Sequence, residues 1–195
     1  MKDNYQMLES VVRDSYASIV WSHKIQEKQS DIYSDMYKGL ETAKILLSAI
    51  TSGGIIALIF TNTFWLKLIT AMISVITVFI NGYFKSFDLQ KSISTHKQTA
   101  NRLIIVRDQY KVLLTKIKMR SESAEHLLLE YQKLIEESDN IYLEAPSTTS
   151  KAVDKASKAL KITKDNTFLD DEIDSFLPRG LKKDLNTHKP QVSEN

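Results

Sequence analysis

The chain has no cysteine, and only three prolines and five glycines in 195 residues. Without cysteine there are no disulfides, no thiol catalysis and no cysteine-ligated metal sites. So little proline and glycine leaves few breaks for turns, and nothing repeats at a solenoid period, so long helices are favoured over a sheet. A formal net charge of +2 gives no strong bulk attraction to nucleic acid, and no direct nucleic-acid binding is expected. The opening residues, Met1-Lys2-Asp3-Asn4-Tyr5-Gln6, contain no apolar run of the kind a cleaved signal peptide needs, so delivery to a membrane is expected to use an internal segment. His23, His96, His126 and His188 are too far apart to pair on a helix, and no HExxH or carboxylate cage is evident. Gly53-Gly54 lies in an apolar run with no lysine-serine behind it, so it is no phosphate loop. The expectation is a protein that is not an enzyme, with no catalytic residue, no cofactor and no metal.

What the chain does have is one long apolar stretch. From Ile45 to Phe84 the single charge is Lys67. Residues 45–66 as a helix reach about 33 Å at 1.5 Å per residue, against a hydrocarbon core of about 30 Å. Residues 68–84 add about 26 Å, with Lys67 and Lys85 at the ends, where lysine stems reach headgroups. With the polar turn Thr61-Asn62-Thr63 between them, the two segments (45–62 and 65–84) read as a hairpin that enters and leaves a membrane on one side. The remaining residues carry every other charge in the chain. They could cover one face of such a hairpin but not both helices all round, which argues against a buried soluble core. Lys24, Lys28, Lys38 and Lys44 precede the hairpin and Lys85, Lys91, Lys97, Arg102 and Arg107 follow it. The positive-inside rule therefore predicts both termini in the cytoplasm of a multi-pass membrane protein.

Within the hairpin the polar residues are ordered. Thr70, Ser74, Thr77 and Asn81 follow Lys67 at three- and four-residue spacing and share one face of the second helix, while Ser48 and Ser52 make a shorter stripe on the first. Small hydroxylated residues let membrane helices pack closely, and the same residues would line a water-filled path if several hairpins assembled. Both readings stay open.

The segments outside the membrane are amphipathic. Residues 1–44 form an N-terminal helix with Leu8, Val11, Val12, Ser15 and Ile19 on one side, a stripe that weakens after Trp21. Tyr33 and Tyr37 suit the headgroup zone near its end, as Trp65 does at the far side. Residues 85–144 form a long stalk whose seam is Leu89, Ile93, His96, Ala100, Leu103, Val106, Tyr110, Leu113 and Ile117, close to a coiled-coil spacing, with Ser121 as the point at which it would break. The N-terminal helix is its local partner, and the surplus apolar surface makes the seam the candidate contact between copies in a homo-oligomer. After Ala145-Pro146, residues 145–178 hold short helices near 150–160 and 170–177, where Thr167 and Asp170 have capping-box spacing. Residues 179–195 read as a flexible tail.

In its order of parts the chain resembles the SLATT domain, the SMODS and SLOG-associating two-transmembrane effector domain. The residues that carry the likeness are Leu47-Ser48-Ala49-Ile50-Thr51-Ser52-Gly53-Gly54, then Lys85-Ser86-Phe87-Asp88-Leu89, His96-Lys97-Gln98-Thr99-Ala100-Asn101-Arg102-Leu103, Arg107-Asp108-Gln109-Tyr110, Ala145-Pro146 and Glu172-Ile173-Asp174-Ser175-Phe176-Leu177-Pro178. The resemblance implies a membrane effector of a bacterial anti-phage conflict system, linked to nucleotide signalling or a reverse transcriptase. Such an effector oligomerises and breaches the membrane, answering to a partner protein or a nucleotide signal, and it carries no assigned catalytic residues. The expected fold is all-α, a two-helix transmembrane hairpin with a long cytoplasmic helical stalk. The alternative function is a non-conducting scaffold that recruits a cytoplasmic enzyme.

Overall fold

The computed structural model describes residues 2–61, 63–165, 167–178 and 182, and among these there is no strand. The first helix, α1, runs unbroken from Lys2–Phe60, about 89 Å at 1.5 Å per residue. The N-terminal helix, read from the sequence as running on towards the membrane, and the first membrane span form one rod. No proline or glycine interrupts residues 40–45, and at Gly39, the weakest helix former nearby, an added Cβ would meet open space. A three-residue connector leads to α2, Phe64–Ser86, antiparallel to the last third of α1.

The predicted stalk is divided twice. At Phe87 the backbone turns extended, and the Asp88 carboxylate accepts the Lys91 N–H at 2.9 Å, starting a new helix, α3, Leu89–Met119. At its other end Arg120 adopts a left-handed conformation (φ 51°), and the N–H groups of Arg120 and Ser121 bond back to the Ile117 and Lys116 carbonyls. Ser123 then caps α4, Ala124–Glu144, through its hydroxyl and the His126 N–H. The chain thus breaks where Ser121 offered a break, and α4 folds back along α3.

Together α1, α3 and α4 make a three-helix body. Its core comprises Val12 and Ile19 of α1, Leu103, Val106, Tyr110, Leu113 and Ile117 of α3, and Leu127 and Ile141 of α4. Polar side chains fix the register at the edges: the Tyr5 hydroxyl donates to the Glu122 carbonyl (2.9 Å), Ser15 and Tyr131 share a bond of 2.9 Å, and the Tyr142 hydroxyl donates to Ser22 (3.2 Å).

Helix α5, Ser150–Lys161, lies on α1 through Ala152, Ala156 and Ala159, all buried. Alanine at this spacing allows close approach, and Gln29 secures the entry by accepting both the Thr149 N–H and hydroxyl at 2.8 Å. The last helix, α6, spans Asp170–Phe176. Its start differs from the predicted pairing of Thr167 with Asp170. The Glu172 carboxylate caps the Leu169 N–H at 2.8 Å, and the Thr167 hydroxyl turns back to the Lys164 carbonyl. The expected tail over 179–195 lies outside the described residues apart from position 182.

Candidate functional site

The hairpin of α2 and residues 45–60 of α1 is apolar and largely uncovered. Ile50, Ile55, Ile56, Ile59, Val75 and Phe79 are all more than half exposed, and both helices are long and apolar enough to cross a membrane. A core helix of a water-soluble domain would hide such residues; these face outward, as a span facing hydrocarbon does.

The two helices meet along Leu47, Thr51, Gly54 and Ala57 on α1 and Leu66, Thr70, Ile73 and Thr77 on α2, each buried or half-buried. Contact is tightest at Gly54, where an added Cβ would lie 2.8 Å from the Thr70 hydroxyl oxygen. The hydroxyls are satisfied by their own helix: Thr70, Ser74 and Thr77 donate to the Leu66, Thr70 and Ile73 carbonyls at 2.9 Å, Thr51 to Leu47 at 2.8 Å and Ser52 to Ser48 at 2.9 Å. Bonding back to the preceding turn is what makes such groups tolerable in hydrocarbon.

The predicted polar stripe therefore splits. Thr70 is buried against Gly54, Ser74 and Thr77 are half-buried at the edge of the contact, and Ser48, Ser52 and Asn81 are exposed on the outside of the hairpin. Among the described residues the Asn81 amide has no partner. Aromatic side chains mark both mouths: Tyr37 packs edge-on to Phe84 beneath the Lys44 ammonium, and Phe64 contacts Trp65 at the far turn. Tyr33 departs from its expected headgroup position and packs on His96 inside the body, ring centroids 5.5 Å apart.

Between hairpin and apolar core lies a buried polar layer, the stretch where the stripe of α1 weakens. His23, Lys24, Gln26, Gln29 and Ser30 of α1 and His96 and Thr99 of α3 are all buried. The His96 Nδ1 sits 2.5 Å from the Gln26 amide oxygen, whose NH₂ donates to the Pro146 carbonyl. The Lys24 ammonium is held by Glu27 at 2.9 Å and Asp165 at 3.6 Å. Burial pushes the pKa of both histidines below the ordinary value; at His23 the Glu27 carboxylate opposes that, while Lys24 and Arg107 reinforce it. Periodicity could not reveal this layer, because polar residues at core positions look like a fading stripe.

The seam expected to join copies is internal. Leu89, His96, Ala100, Leu103, Val106, Tyr110, Leu113 and Ile117 are buried within one chain and Ile93 is half-buried, because α1 and the returning α4 cover that face. Left exposed on α3 are Ile105, Val112 and Met119, seven residues apart. Sequence reasoning that looked for paired histidines also passed over Glu122, His126 and Glu130, whose ligand atoms lie within 4.8 Å of one another. The Lys116 ammonium already serves them as cation, 3.2 Å from Glu122 and 2.8 Å from Glu130, and those carboxylates raise its pKa.

Compared with known families, residues 8–172 match the model described as SMODS and SLOG-associating 2TM effector domain family 4. No curated protein and no solved structure matches.

Proposed function

Because the chain belongs to the SMODS and SLOG-associating two-transmembrane effector domain family, a membrane-associated effector family of bacterial conflict systems, we propose that it acts by assembling into a membrane-breaching pore. Supporting this reading is one observation above the rest, the exposed Asn81 amide, without a partner among the described residues, on a largely apolar membrane hairpin. An amide in hydrocarbon gains by finding a hydrogen-bonding partner, about 1–2 kcal/mol in model helices. Neighbouring copies supply one, and with it bring Asn81 and the edge residues Ser74 and Thr77 around a common path. In this reading the hairpin spans the inner membrane with both termini in the cytoplasm, an orientation supported by the lysines on either side of it. There the body receives its signal, from a partner protein or a nucleotide.

The test is replacement of Thr77 and Asn81 by leucine in the full chain, with membrane potential followed by a voltage-sensitive dye in activated cells. Insertion is expected to persist while depolarisation is lost; full depolarisation by the double variant would rule out a polar lining. The exposed stripe Ile105, Val112 and Met119 favours a second reading, a non-conducting scaffold that recruits a partner enzyme. A steady potential in a functioning activated wild type would select it.

A further inference from the structure

Helix α6 is folded, with its apolar side chains open among the described residues. Beyond its Glu172 cap, the Phe168 and Phe176 rings pack edge-to-face with centroids 6.3 Å apart. Yet Phe168, Leu169 and Phe176 are 64%, 68% and 77% exposed, and no other helix packs substantially against α6. The same seven residues include acids at 170, 171, 172 and 174 and no base. A short helix that is apolar, acidic and detached has the makings of a docking element.

Among the described residues, concavities at the membrane-distal end and one beside α5 could receive it. One, of about 310 Å³ at the membrane-distal end, is lined by Met7, Leu8, Val11 and Leu128 with Glu125 at its lip. It suits the aromatic rings, but its one charged lining residue would repel the acids. The one beside α5, of about 610 Å³, lies between α1 and α5. Lys28 there is already neutralised by Glu27, Asp31 and Asp165. Lys38, Lys155 and Lys158 also line it, without a counter-ion among the described residues; over the whole lining four lysines face the carboxylates Asp31, Asp35 and Asp165, and Ile162 beside it is exposed.

Height decides in the same direction. Asp165 lines the second cavity and is tied to Lys24 at 3.6 Å and Lys28 at 3.8 Å. The chain therefore leaves the body at that level, turning through the left-handed Lys164 (φ 54°). Copies inserted in the same orientation carry their lysine cavities at this height. The apolar groove begins at Val11, thirteen residues up α1 from Lys24, about 20 Å away.

We propose that residues 168–177 of one copy dock in the lysine-lined cavity between α1 and α5 of the next. The proposal rests on the reading that copies assemble, and gives that assembly a surface. The contact is head-to-tail, each copy offering α6 to one neighbour and its cavity to the other, an arrangement that closes into a ring when the rotation between copies permits.

A cysteine-free chain makes the test direct. Full-length copies carrying Ser175→Cys and Thr163→Cys, distinguished by tags, are co-expressed and oxidised in membranes. A mixed disulfide dimer is expected, weakened about tenfold by Lys155→Glu with Lys158→Glu in the receiving copy, since like charges oppose docking. Recovery is expected when Asp170→Lys and Asp171→Lys are placed in the donating copy. A bond that forms only within a chain carrying both cysteines, or from Ser175→Cys to Val11→Cys in preference to Thr163→Cys, would overturn the proposal. So would a cross-link indifferent to the charge reversals. Membrane potential in the same cells separates this contact from the pore reading. Depolarisation without the mixed dimer removes the interface alone, and the charge-dependent dimer with a steady potential upholds the interface and removes conduction.

Discussion

Gly54 is the one glycine among the described residues whose missing side chain is filled by a neighbour; Gly39, Gly53 and Gly82 have open space. Thr70 cannot easily yield, since its hydroxyl is tied to the Leu66 carbonyl and its branched Cβ holds the rotamer. Gly54→Ala is expected to destabilise the hairpin by about 1–3 kcal/mol through overpacking, and Thr70→Ala in the same chain to recover much of it. Gly53→Ala should be neutral or slightly stabilising. Thermal unfolding of the full chain in nanodiscs measures all three, and an unchanged midpoint for Gly54→Ala would refute the close contact.

The buried histidines add a pH dependence with a definite sign. Folding lowers both pKa values below the unfolded value of about 6.5, so the unfolded chain binds more protons in that window. Their contribution to stability is complete above about pH 6.5 and is lost as pH falls from there through the lowered folded values. Melting of the body between pH 7.5 and 5 should therefore slope downward on acidification, and His23→Asn with His96→Asn should flatten the slope. Carboxylates titrate further down, so the readout is the difference between wild type and variant. Both histidines stand plainly in the sequence, but their burial does not: it depends on packing across long separations, as where Gln26, seventy residues from His96, meets its ring.

At the scale of elements, α3 tests which face is inside. Leu103→Ala is expected to cost about 2–5 kcal/mol as a core deletion, whereas Ile105→Ala, two residues on and exposed, should stay within about 0.5 kcal/mol. Equal losses in a denaturation series would mean that the exposed stripe is covered by another copy in the measured state. The residues at three- and four-residue spacing from Leu89 to Ile117 make the inner face of α3, with Ile93 half-buried at its edge. The N-terminal helix was legible as one occupant of that face, but the second was not, because the surplus of an apolar stripe is satisfied equally by a helix from its own chain or from another. Arg120 supplies it: a left-handed residue and the Ser123 cap return α4 onto α3, so what α1 leaves open is covered internally. Likewise α1 joins two segments that composition separates, since a change from polar to apolar residues alters a helix's surroundings without interrupting its backbone bonds.

At the scale of the whole molecule, the rod of α1 couples the membrane hairpin to the body without a flexible joint, while α2 enters α3 through the bend at Phe87–Asp88. On the proposed topology, with both termini in the cytoplasm, the far turn is the outer point. Thr61→Cys is expected to react with a membrane-impermeant maleimide in intact spheroplasts, and Ser121→Cys only after permeabilisation. The reverse pattern would invert the orientation argued from the lysines.

Sequence by itself determined the helices, the two apolar lengths of the hairpin and the absence of thiol chemistry, because these depend on local backbone propensity, on lengths matched to hydrocarbon and on residue types. Tertiary structure alone decided which stripe became core, that Thr70 meets Gly54 while Asn81 faces outward, and that a polar layer is buried between hairpin and core. It also decided that a helix a hundred residues beyond Lys38 returns to form a lysine cavity with it. Each of these depends on which surfaces pack across long separations in the chain, and an amphipathic pattern specifies that a face must be covered without specifying by what.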